Sequence, residues 1–106
     1  MIEESEVEKA VWFLRDGEKI GRARAEMVRT EAMLRHIKAL VMAHSNEKSI
    51  AAREAYAYAS DRYRDAIDEY AKAVEQYEIL RSKREAAMAL IQAWQSMSAN
   101  ARAIRL

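Results

Sequence analysis

The sequence predicts an all-α protein, and this prediction rests on its composition and on two apolar repeats. The 106 residues include no proline and only two glycines, both in the first quarter of the chain, so little interrupts helix formation. In both halves, apolar side chains recur at alternating spacings of three and four residues, which keeps one face of a helix against a partner helix. We therefore predict one domain, residues 1–106, folded as a long antiparallel helical hairpin with coiled-coil-like packing.

The first predicted helix begins at a capping box, in which Ser5 is the N-cap and Glu8 lies three residues later. Its two apolar columns are Phe13, Ile20, Met27, Leu34 and Val41, and Ala23, Thr30 and Ile37. Gly17 and Gly21 lie within this pattern. They predict either a bend near Asp16 and Gly17 or a close approach of a neighbouring backbone.

A polar stretch from His44 to Ser49 predicts the turn. Asn46 tolerates the conformation that closes a helix, and either Ser45 or Ser49 can cap the next one. Because the stretch lacks proline and glycine, one uninterrupted helix is the alternative. The predicted boundaries are residues 5–44 for the first helix, 45–48 for the turn and 49–105 for the second helix.

The second predicted helix carries a tyrosine ladder with seven-residue spacing, and we predict no interruption in it. The ladder is Tyr56, Tyr63, Tyr70 and Tyr77, and three residues after each lie Ala59, Ala66, Ala73 and Leu80. This is a heptad repeat. The residues predicted to pack in the seam are Ile20, Met27, Leu34, Ile37 and Val41 from the first helix, and Tyr56, Tyr63, Tyr70, Tyr77 and Leu80 from the second.

Charge also favours the antiparallel arrangement. Residues 15–38 contain seven basic and four acidic side chains, whereas residues 55–78 contain six acidic and three basic ones. In a hairpin these stretches lie side by side with complementary charge. The same alignment predicts that the acidic first eight residues lie near Arg81, Lys83 and Arg84.

The two arms differ in length, which predicts a dimer. The first helix is expected to end opposite about Met88, so that apolar residues beyond it are left without a neighbour. A second copy covers them in a four-helix bundle. The predicted oligomer or partner interface consists of Trp12, Met88, Ile91, Trp94 and Met97.

Reaction chemistry is not indicated by any motif. The absence of cysteine excludes thiolate catalysis and cysteine metal sites, and neither His36 nor His44 belongs to a Glu-x-x-His pair. The carboxylates alternate with basic residues, as on an exposed helix face. We predict a non-enzymatic protein with no catalytic residues, no metal and no cofactor. The acidic N-terminus is unlike a secretory signal, and no run approaches the ~20 apolar residues of a membrane span, which predicts a cytoplasmic protein.

Nucleic-acid binding is the alternative function. The net charge is only +1, which is low for a domain that relies on phosphate contacts. The tyrosine ladder could stack bases, but its heptad spacing favours packing, while Tyr58 lies outside the seam. The candidate nucleic-acid contacts are Arg81, Lys83, Arg84, Arg102 and Arg105.

The C-terminal part of the chain carries a family resemblance. The relevant segments are Ser49–Ala55, Ala59–Ser60 with Tyr63, Leu80–Arg81, Ile91–Ser96 and Asn100–Arg102. Over roughly residues 30–104, the chain resembles short helical proteins of phages and prophages that are often encoded among recombination and replication genes. The group usually carries Arg at the position of Gln95. The resemblance implies a phage accessory protein in the host cytoplasm. Its partner would be a recombination or replication factor or a host defence component, with single-stranded nucleic-acid binding as the alternative.

Overall fold

The structure, a computed structural model, describes the backbone of residues 1–105 and the side chains of residues 1–104. Four helices follow one another: α1 (Glu4–Arg15), α2 (Glu18–His44), α3 (Ile50–Tyr58) and α4 (Asp61–Arg105). Residues 1–105 contain no β-strand, which confirms the all-α prediction. Over the same residues, none of the helices has the length and hydropathy to span a lipid bilayer.

Helix α1 begins one residue before the predicted capping box. Its N-cap is Glu3, whose side chain makes no capping hydrogen bond, so the prediction of Ser5 as the N-cap is wrong. Glu4 and Glu6 lie in the first turn instead, where their negative charge is favourable beside the free N–H groups of the helix. The acidic start therefore stabilises α1 through charge.

The first predicted helix is divided in two at Asp16 and Gly17. Asp16 leaves the helical region, with φ −89° and ψ 67°. A methyl group built on Gly17 or on Gly21 meets no atom within 4 Å, so the glycines do not accommodate a close backbone approach. Of the two roles predicted for the glycines, a bend or a close backbone approach, the structure shows the bend near Asp16.

The second predicted helix is also divided, at Ala59 and Ser60, where we expected no interruption. The Ser60 hydroxyl donates a hydrogen bond to the Ala57 carbonyl oxygen (2.6 Å) and accepts one from the Tyr63 N–H (3.2 Å). A serine side chain that replaces backbone hydrogen bonds in this way ends one helix and caps the next. The break therefore needs neither glycine nor proline.

The predicted turn separates α2 from α3, so the chain does not continue as one helix. Ser49 is the N-cap of α3, and its hydroxyl accepts a hydrogen bond from the Ala52 N–H at 3.0 Å. Arg53 Nε donates to the Glu47 carbonyl oxygen at 2.7 Å and ties the turn to the helix that follows. Of the two serines suggested by the sequence, Ser49 caps the helix.

The tertiary contacts form two compact units. Unit 1 contains Met1–Gly21 and Glu78–Leu106, and unit 2 contains Arg22–Tyr77. In unit 2, Lys38 pairs with Glu54 at 3.6 Å, whereas the earlier residue Thr30 shares a groove with the later residue Ala66. This reversed order shows that α2 runs antiparallel to α3 and α4 in unit 2. A single domain stays a prediction.

The seam residues of unit 2 are buried or half-buried, with one exception. Val41 is buried, and the half-buried members are Met27, Leu34, Ile37, Tyr63, Tyr70 and Tyr77. The tyrosine ladder predicts Tyr56 in the seam, but Tyr56 is 54% exposed and its neighbour Ala57 is fully buried. The interruption at Ser60 shifts the contact face by one residue, and this shift moves Tyr56 out of the seam.

Unit 1 has a core of small and medium-sized side chains. Helix α1 buries Val7 and Ala10, and α4 buries Leu80 and Ala87. Ile20, at the start of α2, is half-buried. Leu80 and Ala87 follow Ala73 at seven-residue spacing, so the heptad repeat of α4 also supplies buried residues of unit 1.

Candidate protein-interaction surface

Helix α1 and α4 form an apolar groove in unit 1 that contains both tryptophans of the chain. The groove has a volume of about 250 Å³ and is lined by Glu4, Val7, Glu8, Val11, Trp12, Arg15 and Trp94. Trp94 therefore lies beside α1. The expectation that the first helix ends opposite about Met88 is wrong, because α1 covers α4 at least as far as Trp94.

A second groove of about 440 Å³ lies farther along α4. It is lined by Trp94, Gln95, Ser98, Ala101 and Arg102, all of which belong to α4. No α1 residue contributes to its lining. The part of α4 without a partner helix is thus shorter than the sequence predicts and begins after Trp94.

Five exposed residues form one stripe of α1, which we call the Trp12 stripe. Their positions around the helix axis fall within roughly 100° of one another, so they share one side of the helix. They are Glu4, Glu8, Val11, Trp12 and Arg15. The indole of Trp12 is 67% exposed, and the Arg15 guanidinium lies 5.2 Å from the centre of its ring.

Met88 of α4 lies on the same side of unit 1 as the Trp12 stripe. Glu8 follows the buried Val7 along α1, and Met88 follows the buried Ala87 along α4. The hairpin that the sequence predicts has its two arms antiparallel, and in such a pair of right-handed helices the residue after a contact residue lies on the same side of the pair. The Trp12 stripe and Met88, which is 49% exposed, therefore belong to one surface.

The predicted interface residues do not all share this surface. Ile91 and Trp94 are half-buried beside it. Met97 is 43% exposed but follows Met88 by nine residues, roughly two and a half helical turns, and therefore lies on the opposite side of α4. The structure thus brings Trp12 and Trp94 together in one groove and places Met97 on the side of α4 opposite Met88.

The acidic and basic residues of the Trp12 stripe lie at opposite ends of it. Glu4 and Glu8 precede the apolar pair Val11 and Trp12, and Arg15 follows it. Neither carboxylate forms an ion pair within the described part of the chain. The sequence missed this surface as a unit because we expected the first helix to end opposite about Met88, before Trp94.

The acidic N-terminus is not beside Arg81 as the charge pattern predicts. Glu4 and Glu8 share a groove with Trp94, which is 13 residues, or roughly 20 Å, farther along α4 than Arg81. Arg81 instead contacts Glu78 at 3.5 Å and Glu85 at 3.3 Å within α4. Its charge is thus compensated by its own helix.

The candidate nucleic-acid contacts are dispersed. Lys83 and Arg84 are neighbours on α4 and therefore differ by roughly 100° around its axis. Arg102 lines the second groove, 18 residues after Arg84. The side chain of Arg105 lies outside the described residues. The described basic side chains of α4 do not form one continuous stripe.

Unit 2 contains a polar cluster that the sequence did not indicate. The Lys38 ammonium lies 4.7 Å from the centre of the Tyr58 ring and 3.6 Å from Glu54. Tyr58 also packs edge-on against Tyr63, with ring centres 5.2 Å apart. The adjacent Tyr58 side chain and the charge of Glu54 raise the pKa of Lys38. Tyr58 is 52% exposed, as expected for a residue outside the seam, and it also contacts Lys38 of α2 and Tyr63 of α4.

A third groove, of about 310 Å³, lies between α2 and α4 in unit 2. Its lining is Arg29, Thr30, Met33, Ile37, Arg62, Asp65, Ala66 and Glu69. Arg29 Nε donates to a Glu26 carboxylate oxygen at 2.9 Å, and this hydrogen bond lowers the pKa of Glu26. The Thr30 hydroxyl donates to the Glu26 carbonyl oxygen at 2.8 Å, so the buried hydroxyl is satisfied within its own helix.

Neither a search for metal-binding side chains nor comparison with known proteins gives a further indication of function. Within the described residues, no group of three or more histidine or acidic side chains is arranged to hold a metal ion. No family model matches the sequence, and comparisons with curated proteins and with solved structures give no match either.

Proposed function

We propose that this protein acts without catalysis, by binding another protein through the surface formed by the Trp12 stripe and Met88. The observation that carries the proposal is the 67% exposure of Trp12 beside the groove that it shares with Trp94. Tryptophan is enriched among the residues that dominate protein interfaces, and an exposed indole next to an apolar groove is typical of such a surface. The resemblance to phage accessory proteins suggests a recombination or replication factor, or a host defence component, as the partner.

Trp12 offers a direct test with a matched control. Immobilised wild-type protein, Trp12→Ser and Val28→Ser are exposed to the same bacterial lysate, and the retained proteins are quantified by mass spectrometry. Val28 is 55% exposed but belongs to unit 2. We expect a partner retained by the wild type and by Val28→Ser, and at least five-fold less of it on Trp12→Ser. Equal retention by all three would contradict the proposed surface.

Single-stranded nucleic-acid binding is the second candidate, supported by the basic side chains of α4. Fluorescence anisotropy with single- and double-stranded oligonucleotides at two salt concentrations tests it. Affinity that falls steeply with salt and disappears in the double variant Lys83→Glu, Arg84→Glu would favour this alternative. We expect no binding, because Arg81 is compensated by two carboxylates and the other described cations of α4 are dispersed.

A further inference from the structure

The order of residues along the Trp12 stripe is self-complementary. Read from the start of α1, the stripe has two carboxylates, then Val11 and Trp12, then the Arg15 guanidinium. When a second α1 is laid antiparallel on the first, with the two-fold axis between Val11 and Trp12, Glu8 of each copy faces Arg15 of the other. Val11 of each copy then faces Trp12 of the other, so that Glu8, Val11, Trp12 and Arg15 each meet a suitable partner.

We propose that the Trp12 stripe binds the Trp12 stripe of a second copy in this antiparallel, two-fold symmetric arrangement. This inference concerns the same surface as the proposed function and names a second copy of the chain as an occupant of it. A two-fold contact requires one patch that is complementary to itself, and the charge order of α1 meets this requirement. Glu8 makes no ion pair within the described chain and is exposed, so it is free to take an intermolecular partner.

The size of the contact predicts a weak dimer. Helix α1 has 12 residues and is therefore roughly 18 Å long. Even with Met88 at its edge, the contact is smaller than the roughly 1,600 Å² of a standard protein interface. We expect a dissociation constant of about 10–100 µM at low salt. Because the charged pairs lie at the rim, dimerisation should weaken between 50 and 500 mM NaCl.

Charge reversal tests the arrangement between molecules. Glu8→Arg brings two guanidinium groups together at each of the two symmetric sites, and Arg15→Glu brings two carboxylates together there. Each variant alone should dimerise at least ten-fold more weakly than the wild type in analytical ultracentrifugation. A mixture of the two variants should form a heterodimer, because one symmetric site then pairs two introduced charges of opposite sign and the other pairs the two native ones, Arg15 and Glu8. The absence of heterodimers in the mixture would overturn the antiparallel arrangement.

Cross-linking through a single introduced cysteine locates the two-fold axis. The chain contains no cysteine of its own, so only the introduced one reacts. Val11→Cys should be joined efficiently by a short bis-maleimide, whereas Val28→Cys, an exposed position of unit 2, should not. Equal cross-linking at both positions, or none at position 11, would place the interface elsewhere. Circular dichroism verifies that each variant stays helical.

The two proposals fail in different ways. A wild-type protein that is monomeric at 200 µM overturns the dimer, but Trp12-dependent retention of another protein would still support the proposed function. Conversely, a dimer that forms as described, without any Trp12-dependent retention, supports self-association and contradicts the binding of another protein at this surface.

Discussion

Replacement of Leu80 by alanine tests whether the heptad of α4 is the core of unit 1. Leu80 is only 7% exposed and is the largest of the side chains that the structure buries there. The substitution removes three carbon atoms, and at about 0.8 kcal/mol for each buried CH₂ the loss is about 2.4 kcal/mol. A residual cavity adds to this, whereas collapse of the neighbouring helices reduces it. We expect the free energy of unfolding to fall by about 2–3 kcal/mol.

Ile79 provides a matched control, because it is the adjacent residue, has the same number of carbon atoms and is 42% exposed. Ile79→Ala removes the same three carbons from a site that is a little over half buried, so the transfer loss is about 1.4 kcal/mol. The higher helix propensity of alanine returns about 0.4 kcal/mol. The expected net cost is therefore about 1 kcal/mol.

Urea denaturation of both variants, followed by circular dichroism at a low protein concentration where the proposed dimer is dissociated, measures the difference. We expect Leu80→Ala to be less stable than Ile79→Ala by about 1–2 kcal/mol. Equal losses, or a larger loss for Ile79→Ala, would show that the contact face of α4 is not the one that contains Leu80.

Further substitutions at three positions probe a glycine within α2, the cap of α4 and one ion pair. Gly21→Ala should raise the free energy of unfolding by about 0.5–1 kcal/mol, because Gly21 is helical and an added methyl group meets no atom within 4 Å; a decrease in the urea midpoint would contradict this. Ser60→Ala should lower the free energy of unfolding by about 1 kcal/mol, because the α4 cap is lost, whereas Ser60→Asp should retain most of the wild-type stability. An equal loss of stability in both variants would argue against capping by Ser60. Arg29→Gln should return the lowered pKa of Glu26 toward its ordinary value of 4.5, as followed by carboxyl NMR. Because that pKa is lowered in the folded state, the ion pair stabilises the helix above about pH 4.5, and this contribution is lost as the pH falls through the lowered value. An unchanged titration of Glu26 in Arg29→Gln would show that Arg29 does not cause the lowered pKa.

The heptad of α4 could be predicted from the sequence because spacing alone determines which residues share one side of a helix. Tyr63, Tyr70 and Tyr77 all lie in or near the contact face. Tyr56 does not, because Ser60 caps a new helix and shifts the contact face by one residue. A serine in a helical pattern is as compatible with an exposed position as with a cap, so its effect depends on hydrogen bonds that the sequence does not specify.

The candidate surface was predictable residue by residue but not as a surface. The unequal lengths of the two predicted arms suggested Trp12, Met88 and Trp94, because apolar residues beyond the end of the first helix would lack a neighbour. The separation of Met97 follows from its nine-residue spacing from Met88, which the sequence contains, whereas the groove shared by Trp12 and Trp94 depends on how far α1 extends along α4. That extent is determined by the packing of α1 against α4, which no residue pattern specifies.

The small side chains of the core have a thermal consequence. Five of the nine buried residues in the described part of the chain are alanines, and each alanine covers little apolar area. The heat capacity increment of unfolding is proportional mainly to the apolar area that becomes hydrated. We therefore expect an increment below the usual value per residue and a broad, shallow curve of unfolding free energy against temperature. The fraction of folded molecules should change gradually on heating, in contrast to the steep transition of a protein with a leucine-rich core.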